Sequence, residues 1–202
     1  MPPITITQLS SWVGGYGLKK DYVSWNDIAP SAKLASIASE DQLFAVHGGF
    51  DWKAIDQSLD GKVKGRPAGA AASTISQQAA RNVFLFQGAG IFRYIRKPFE
   101  AVYTKLIEWI WGKQRILDVY LNTIEMGRGI FGIEEASQQY FHKPAKQLTS
   151  TEAALIISLL PDPKNLTIKP ESHFVSWKSR WILRQMNNIS DDKKIHDLVY
   201  SK

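Results

Sequence analysis

The sequence predicts a mainly α-helical protein, and three observations predict it. Apolar residues recur at helical spacing over several segments, start and stop signals bracket those segments, and alternating strand patterns are weak and few. The chain has 202 residues, enough for one domain or a two-lobed one with a substantial core. It shows no internal repeat and no low-complexity tract.

Each element follows from local pattern. Residues 31–40 place Leu34, Ile37 and Ala38 on one face. Residues 73–85 read as a helix behind a small-residue turn, with Ser73 as its N-cap. Residues 98–111 begin with Pro98, suited to a first helical turn, and end at Gly112. Over residues 113–125, Ile116, Leu117, Tyr120, Leu121 and Ile124 form one stripe, and Gly127 and Gly129 end it. Thr149 and Glu152 make a capping box that opens a helix stopped by Pro161, and a final helix covers residues 177–188.

Composition narrows the function. The formal net charge is +6. It is local: residues 53–115 hold 11 Lys and Arg against 4 Asp and Glu, and the rest of the chain holds 14 against 15. Such a patch suits nucleic acid, an anionic membrane surface or an anionic substrate, or serves only solubility. The chain has no cysteine, which excludes a disulfide framework, a thiolate nucleophile and a Cys-based metal site but leaves the compartment open. His47, His142, His173 and His196 never recur at a metal-ligand spacing. The longest clean apolar run, residues 153–160, falls far short of the ~20 residues needed to span a bilayer. The first residues lack the basic and apolar regions of a signal peptide.

Four clusters carry polar groups that a plain helical core would not need. Glu40 and Asp41 follow an apolar helix face and precede Phe44, His47, a glycine pair and Asp51. Desolvation and an acidic neighbour raise a carboxyl's proton affinity, as a general base or acid requires, although an ordinary exposed helix end would look similar. The run Ser73-Thr74-Ile75-Ser76-Gln77-Gln78, with Arg81 and Asn82, suits a helix N-terminus that holds an anion or sugar hydroxyls. Arg96, Lys97 and Glu100 suit a phosphate clamp with an acidic partner. Residues 116–132 are mostly explained by an apolar stripe and a glycine turn. A further segment, residues 84–95, sets aromatic residues around a glycine hinge. By itself it favours a core loop over a flap that touches lipid.

In this order the clusters resemble the peptidoglycan glycosyltransferases of family 51. Glu40, Asp41, Phe44, His47, Gly49 and Asp51 match the family's first motif, residues 73–78 with Asn82 the second, and Arg96, Lys97 and Glu100 the third. Residues 116–132 match the fourth and residues 148–163 the fifth, so the likeness covers about residues 25–190. Three features depart from it: Ala71 and Ala72 replace glycines, Arg81 replaces a lysine, and the segment near Arg93 is longer.

The resemblance implies a lysozyme-like, two-lobed glycosyltransferase domain with a small hydrophobic lobe facing the membrane. Outside that domain, 25–190, an N-terminal segment, 1–24, is expected without the family's usual membrane anchor, and a C-terminal tail covers 191–202. The implied substrate is lipid II, polymerised into glycan strands with release of polyprenyl diphosphate, at the periplasmic face of the bacterial inner membrane. Glu40 is expected as general base and Glu100 as second carboxylate. Asp41, Phe44, His47, Ser73, Thr74, Gln77, Arg81, Asn82, Arg96 and Lys97 are expected to bind substrate. No resident cofactor or metal ligand is assigned, and a divalent ion, Mg or Mn, is an option at the diphosphate. Expected partners are lipid II, the growing glycan chain and an anionic membrane surface, with transpeptidases or divisome proteins by analogy and no nucleic acid. Three alternatives remain: a lysozyme-like hydrolase, an inactive cell-wall scaffold and a basic nucleic-acid binder.

Overall fold

A computed structural model describes residues 1–59, 73–86 and 91–200. The protein is mainly helical, as its periodicity predicts. Its helices are α1 (Ile6–Val13), α2 (Pro30–Glu40), α3 (Trp52–Leu59), α4 (Ile75–Phe84), α5 (Ile91–Ile110), α6 (Gly112–Thr123), α7 (Ile133–Phe141), α8 (Ser150–Ile157), α9 (His173–Ile189) and α10 (Lys193–Tyr200). The strands are β1 (Lys19–Lys20), β2 (Glu125–Gly127) and β3 (Ile130–Phe131).

The core forms where α2 packs on α8 and α9, and α4 packs on α5 and α6. Small residues at the crossings let these backbones approach: Ala32, Ala35 and Ala38 of α2, Ala79 and Ala80 of α4, and Ala153 and Ala154 of α8 are fully buried. Ile37, Ile75, Ile116, Leu117, Tyr120, Leu121 and Ile156 fill the space between them. At roughly 1.5–3 kcal/mol per fully buried large apolar side chain, this cluster is the main source of stability.

The N-terminal residues are built onto this body. β1 pairs parallel with β3, and β3 pairs antiparallel with β2. The Asn122 side chain accepts from Val23 N at 2.9 Å and donates to Val23 O at 3.2 Å. At the other end, Ile195 and Val199 of α10 are buried in the core.

Several predicted boundaries move. Thr74, not Ser73, caps α4, because its hydroxyl accepts from Gln77 N while the Gln77 side chain accepts from Thr74 N. The helix expected to begin at Pro98 begins at Ile91 and runs through it. An interior proline removes one helical hydrogen bond, and the inward packing of α5 outweighs that loss. Gly112, at φ +70°, sits where α5 gives way to α6. The Thr149–Glu152 capping box forms as predicted, with α8 ending at Ile157 ahead of Pro161. The helix expected over residues 177–188 starts at His173, capped by Ser172, and α10 follows it.

The outward face of α5 is apolar. Ile95, Phe99, Val102, Leu106, Trp109 and Ile110 are all exposed, Trp109 to 84%. Their spacing puts them on one stripe. Among the described residues no helix is long and apolar enough to cross a membrane.

Candidate active site

Three helix ends meet at the site. Glu40 is the last residue of α2, and Asp41 leaves the helix with its N–H still bonded to Ile37 O at 3.0 Å. The chain then turns through residues 42–50 and lies against the N-terminus of α4. Asp41, 8% exposed, fastens this junction by accepting from Ile75 N at 3.0 Å and from His47 Nε2 at 2.8 Å. His47 Nδ1 accepts from Gly49 N at 3.1 Å, which assigns the ring proton to Nε2. Gly49 O in turn accepts from the Thr74 hydroxyl at 2.7 Å.

α5 supports the same loop from below. Lys105 donates to Gly48 O at 2.7 Å. Gly49, at φ +96°, passes so close that an added Cβ would lie 2.8 Å from Thr104 and 3.1 Å from Glu108. Glu108 accepts from Ser76 Oγ at 2.5 Å and from Lys113 Nζ at 2.6 Å. Burial holds the Lys113 ammonium below its ordinary value, with Glu108 and Asp41 pulling it back up. Phe44 is fully buried, with Lys113 4.5 Å above its ring. Expected as a substrate contact, Phe44 here packs in the core.

Glu40 is half-buried and takes neutral donors. Ser39 Oγ donates to Oε1 at 2.8 Å and Gln78 Nε2 to Oε2 at 3.2 Å. Gln78 also donates to Ser73 O at 3.2 Å and accepts from the Tyr120 hydroxyl at 3.3 Å. Burial, then the Glu40 charge, drives that phenol well above its ordinary range, so it remains a donor. Gln78 stood within the second motif but outside the predicted site residues. Its position one helical turn beyond Thr74 was the available signal.

Glu100 has a different setting. It is fully buried on the inward face of α5 between two cations. Lys97 Nζ donates to Oε1 at 2.8 Å, and Arg96 Nε lies 3.5 Å from Oε2. Arg96 also donates to Phe86 O at 2.9 Å, whereas the Lys97 side chain is 46% exposed. Arg96, Lys97 and Glu100 thus come together, with much of the positive charge balanced by Glu100.

Thr74 and Gln77 use their side-chain oxygens on the α4 cap and so position the helix. Ser73 is half-buried at the mouth of that helix. Arg81 and Asn82 line a cavity of about 320 Å³ along α4, bounded on its far side by the loop after α8. Ala71 and Ala72 lie outside the described residues, as does the 87–90 part of the glycine hinge. Among the described residues, no three His, Asp or Glu groups converge to hold a metal ion.

Residues 7–187 match the family model described as Transglycosylase. A biosynthetic peptidoglycan transglycosylase of Escherichia coli O17:K52:H18 is 45% identical over 188 residues, covering 92% of this chain and 76% of the relative. The protein of the same description from Salmonella typhi matches with the same identity and coverage. A likeness of this extent, together with the motif residues assembled around Glu40, places the chain in the transglycosylase family of glycosyltransferases.

Proposed function

We propose that this protein polymerises lipid II into glycan strands, with Glu40 as the general base. The contrast between its two candidate carboxylates carries the reading. Among the described residues Glu40 is hydrogen-bonded only by neutral groups, and it is half-buried. So held, the carboxylate has no cation bonded to it among the described residues and stays within reach of a ligand. Glu100 is sealed between Arg96 and Lys97, so its part is to hold those cations in place.

The chemistry then follows. Glu40 takes the proton of the acceptor sugar's 4-hydroxyl as that oxygen attacks the donor's anomeric carbon. The bond to the diphosphate breaks on the opposite face, and an α-linked donor becomes a β-linked product. Polyprenyl diphosphate leaves with the bonding electron pair. Neutralising its charge matters more than protonating it, and the exposed Lys97, backed by Arg96, supplies a cation, as does Arg81. The apolar stripe of α5 beside this clamp suits contact with the membrane that carries the polyprenyl chains, with cations near it for anionic head groups. The reading sets the reaction at a bacterial inner membrane, on the periplasmic face that the family resemblance implies.

Purified protein with lipid II in detergent should yield glycan polymer. Glu40→Gln should abolish the polymer while the helical circular dichroism and melting transition persist. Full activity in that variant would remove Glu40 from the role of base. Release of muropeptides from finished cell wall would instead identify a hydrolase.

A further inference from the structure

Helix α1 is turned inside out. Its inward face is polar, with Thr7, Gln8 and Ser11 buried. Its outward face is apolar, with Ile6, Leu9, Trp12 and Val13 exposed, Trp12 to 63% and Val13 to 76%. The helical repeat sets these two groups on separate arcs, the reverse of a helix that packs on a core.

The inward face is held firmly but served incompletely. Gln8 Oε1 accepts from Thr5 N at 3.0 Å and from the Tyr22 hydroxyl at 2.9 Å, and the Ser11 hydroxyl donates to Gly17 O at 3.0 Å. Among the described residues, Thr7 Oγ1 and Gln8 Nε2 are buried without a hydrogen-bond partner. Burying polar groups unpaired and leaving large apolar ones in water both oppose folding. Rolling the helix over would relieve both, so water alone does not favour the orientation it has. The capping box at Thr5 and the pairing of β1 with β3 fix that orientation instead. An apolar face kept outward in this way marks a surface for a partner.

The groups around the face select the partner. Trp12 and Tyr16 border it, and the Tyr16 ring lies 3.8 Å from Lys164 Nζ and 5.4 Å from the Arg128 guanidinium. Lys19 and Lys20 follow, and residues 1–20 hold no Asp or Glu. Aliphatic groups rimmed by aromatic rings and cations match the surface of an anionic bilayer, with acyl chains on the aliphatic groups and head-group phosphates at the cations. With eight residues α1 is about 12 Å long, far short of a hydrocarbon core of ~30 Å, so it lies in the interface and does not span it.

We infer that α1 is an interfacial lipid-binding helix that seats the N-terminal side of the protein on an anionic bilayer. α1 packs on α4, and the contact is separate from the apolar stripe of α5. It goes beyond the polymerase reading and does not depend on it.

The chain has no cysteine, so a single introduced one can carry a reporter. Val13→Cys, labelled with a polarity-sensitive fluorophore, should shift to the blue on vesicles of phosphatidylcholine and phosphatidylglycerol in equal parts. The same label on Ser190→Cys, also exposed, should not shift. The Val13 shift should persist when the α5 stripe is broken by Trp109→Ser. In flotation with these vesicles, the double variant Trp12→Ser, Val13→Ser should bind about tenfold more weakly than wild type while melting like it. Wild type should bind phosphatidylcholine alone about fivefold or more weakly than the mixed vesicles. A Val13 label that stays in water while the protein floats overturns the inference, as does unchanged flotation of the double variant or equal binding to phosphatidylcholine alone. A label that becomes shielded without vesicles as protein concentration rises also overturns it, and gives the face to a second copy of the chain. Polymerisation of lipid II is not in the readout, so failure of that activity leaves the lipid contact standing.

Discussion

The Gln78 amide joins the Tyr120 hydroxyl, 3.3 Å from its oxygen, to Glu40 Oε2, 3.2 Å from its nitrogen. Because the buried phenol donates to Oε1, the amide is oriented with its NH2 towards the carboxylate. A side chain of α4 thereby transmits the rigidity of the α6 core to the end of α2.

Gln78→Met retains length and removes the bonds to Glu40, Tyr120 and Ser73 O. A hydrogen bond to a charged group is worth about 1.5–3 kcal/mol, so kcat for polymerisation should fall roughly ten- to a hundredfold. KM for lipid II should change much less. Tyr120→Phe, which frees the amide without removing it, should cost less than Gln78→Met in the same assay. The reverse order would mean that Tyr120 acts on the site by another route.

Asp41 satisfies a buried backbone donor as well as His47. Asp41→Ala strands the Ile75 N–H, at about 1–3 kcal/mol. Urea denaturation should show that loss, with a smaller one for His47→Ala, whose removal leaves Asp41 on Ile75 N. Equal stability of Asp41→Ala and wild type would show that water takes over the donor.

Glu100 and Arg96 are buried together, so removing one is worse than removing both. Glu100→Ala should destabilise the protein by about 3–5 kcal/mol by removing the counter-charge of the buried guanidinium, and adding Arg96→Met should restore part of that. A double-mutant cycle measures the coupling. Additive losses would show that the pair does not interact, despite its geometry. Activity lost in Glu100 variants has to be read against this destabilisation.

Lys33, 4% exposed on α2, lies 3.7 Å from the centre of the Trp25 ring. Burial lowers its ammonium to about 8, with Asp118 opposing the shift. The folded chain therefore holds fewer protons than the unfolded chain between about pH 8 and the ordinary lysine value. Stability from this group rises with pH across that window, and its cost is present in full below it. Urea midpoints at pH 8 and pH 10 should show a larger relative gain for wild type than for Lys33→Met. Equal gains would place the ammonium in water.

Gly129 carries a backbone requirement. Its φ is +69°, and an added Cβ would collide with Tyr16 O. Gly129→Ala should lose about 2 kcal/mol or more and loosen the N-terminal segment. Hydrogen exchange should quicken at Lys19, whose N–H bonds Gly129 O at 2.7 Å. Unchanged exchange there would uncouple the segment from the turn.

The helices most legible in the sequence were α2, from its apolar stripe, and α8, from its cap. α2 and α8 formed close to prediction, and Thr149 and Glu152 closed their capping box. α1, α3, α7 and α10 were not foreseen; each has only 8 or 9 residues, too few for periodicity to stand out. The start of α5 was misplaced because Pro98 is a strong local signal. The packing that overrides it comes from α4 and α6.

The sequence by itself determined the helical class, the local basic patch, and the motifs that mark Glu40 and the clamp around Glu100. Those are properties of residue type and short spacing. Only the tertiary structure decided which carboxylate is left with neutral partners. Glu40 meets Gln78 across 38 positions and stays half-buried among neutral donors, while Glu100 is sealed between its own helical neighbours. Burial and the partners that fold around a charge set its chemistry, and neither is written in the residue that bears it.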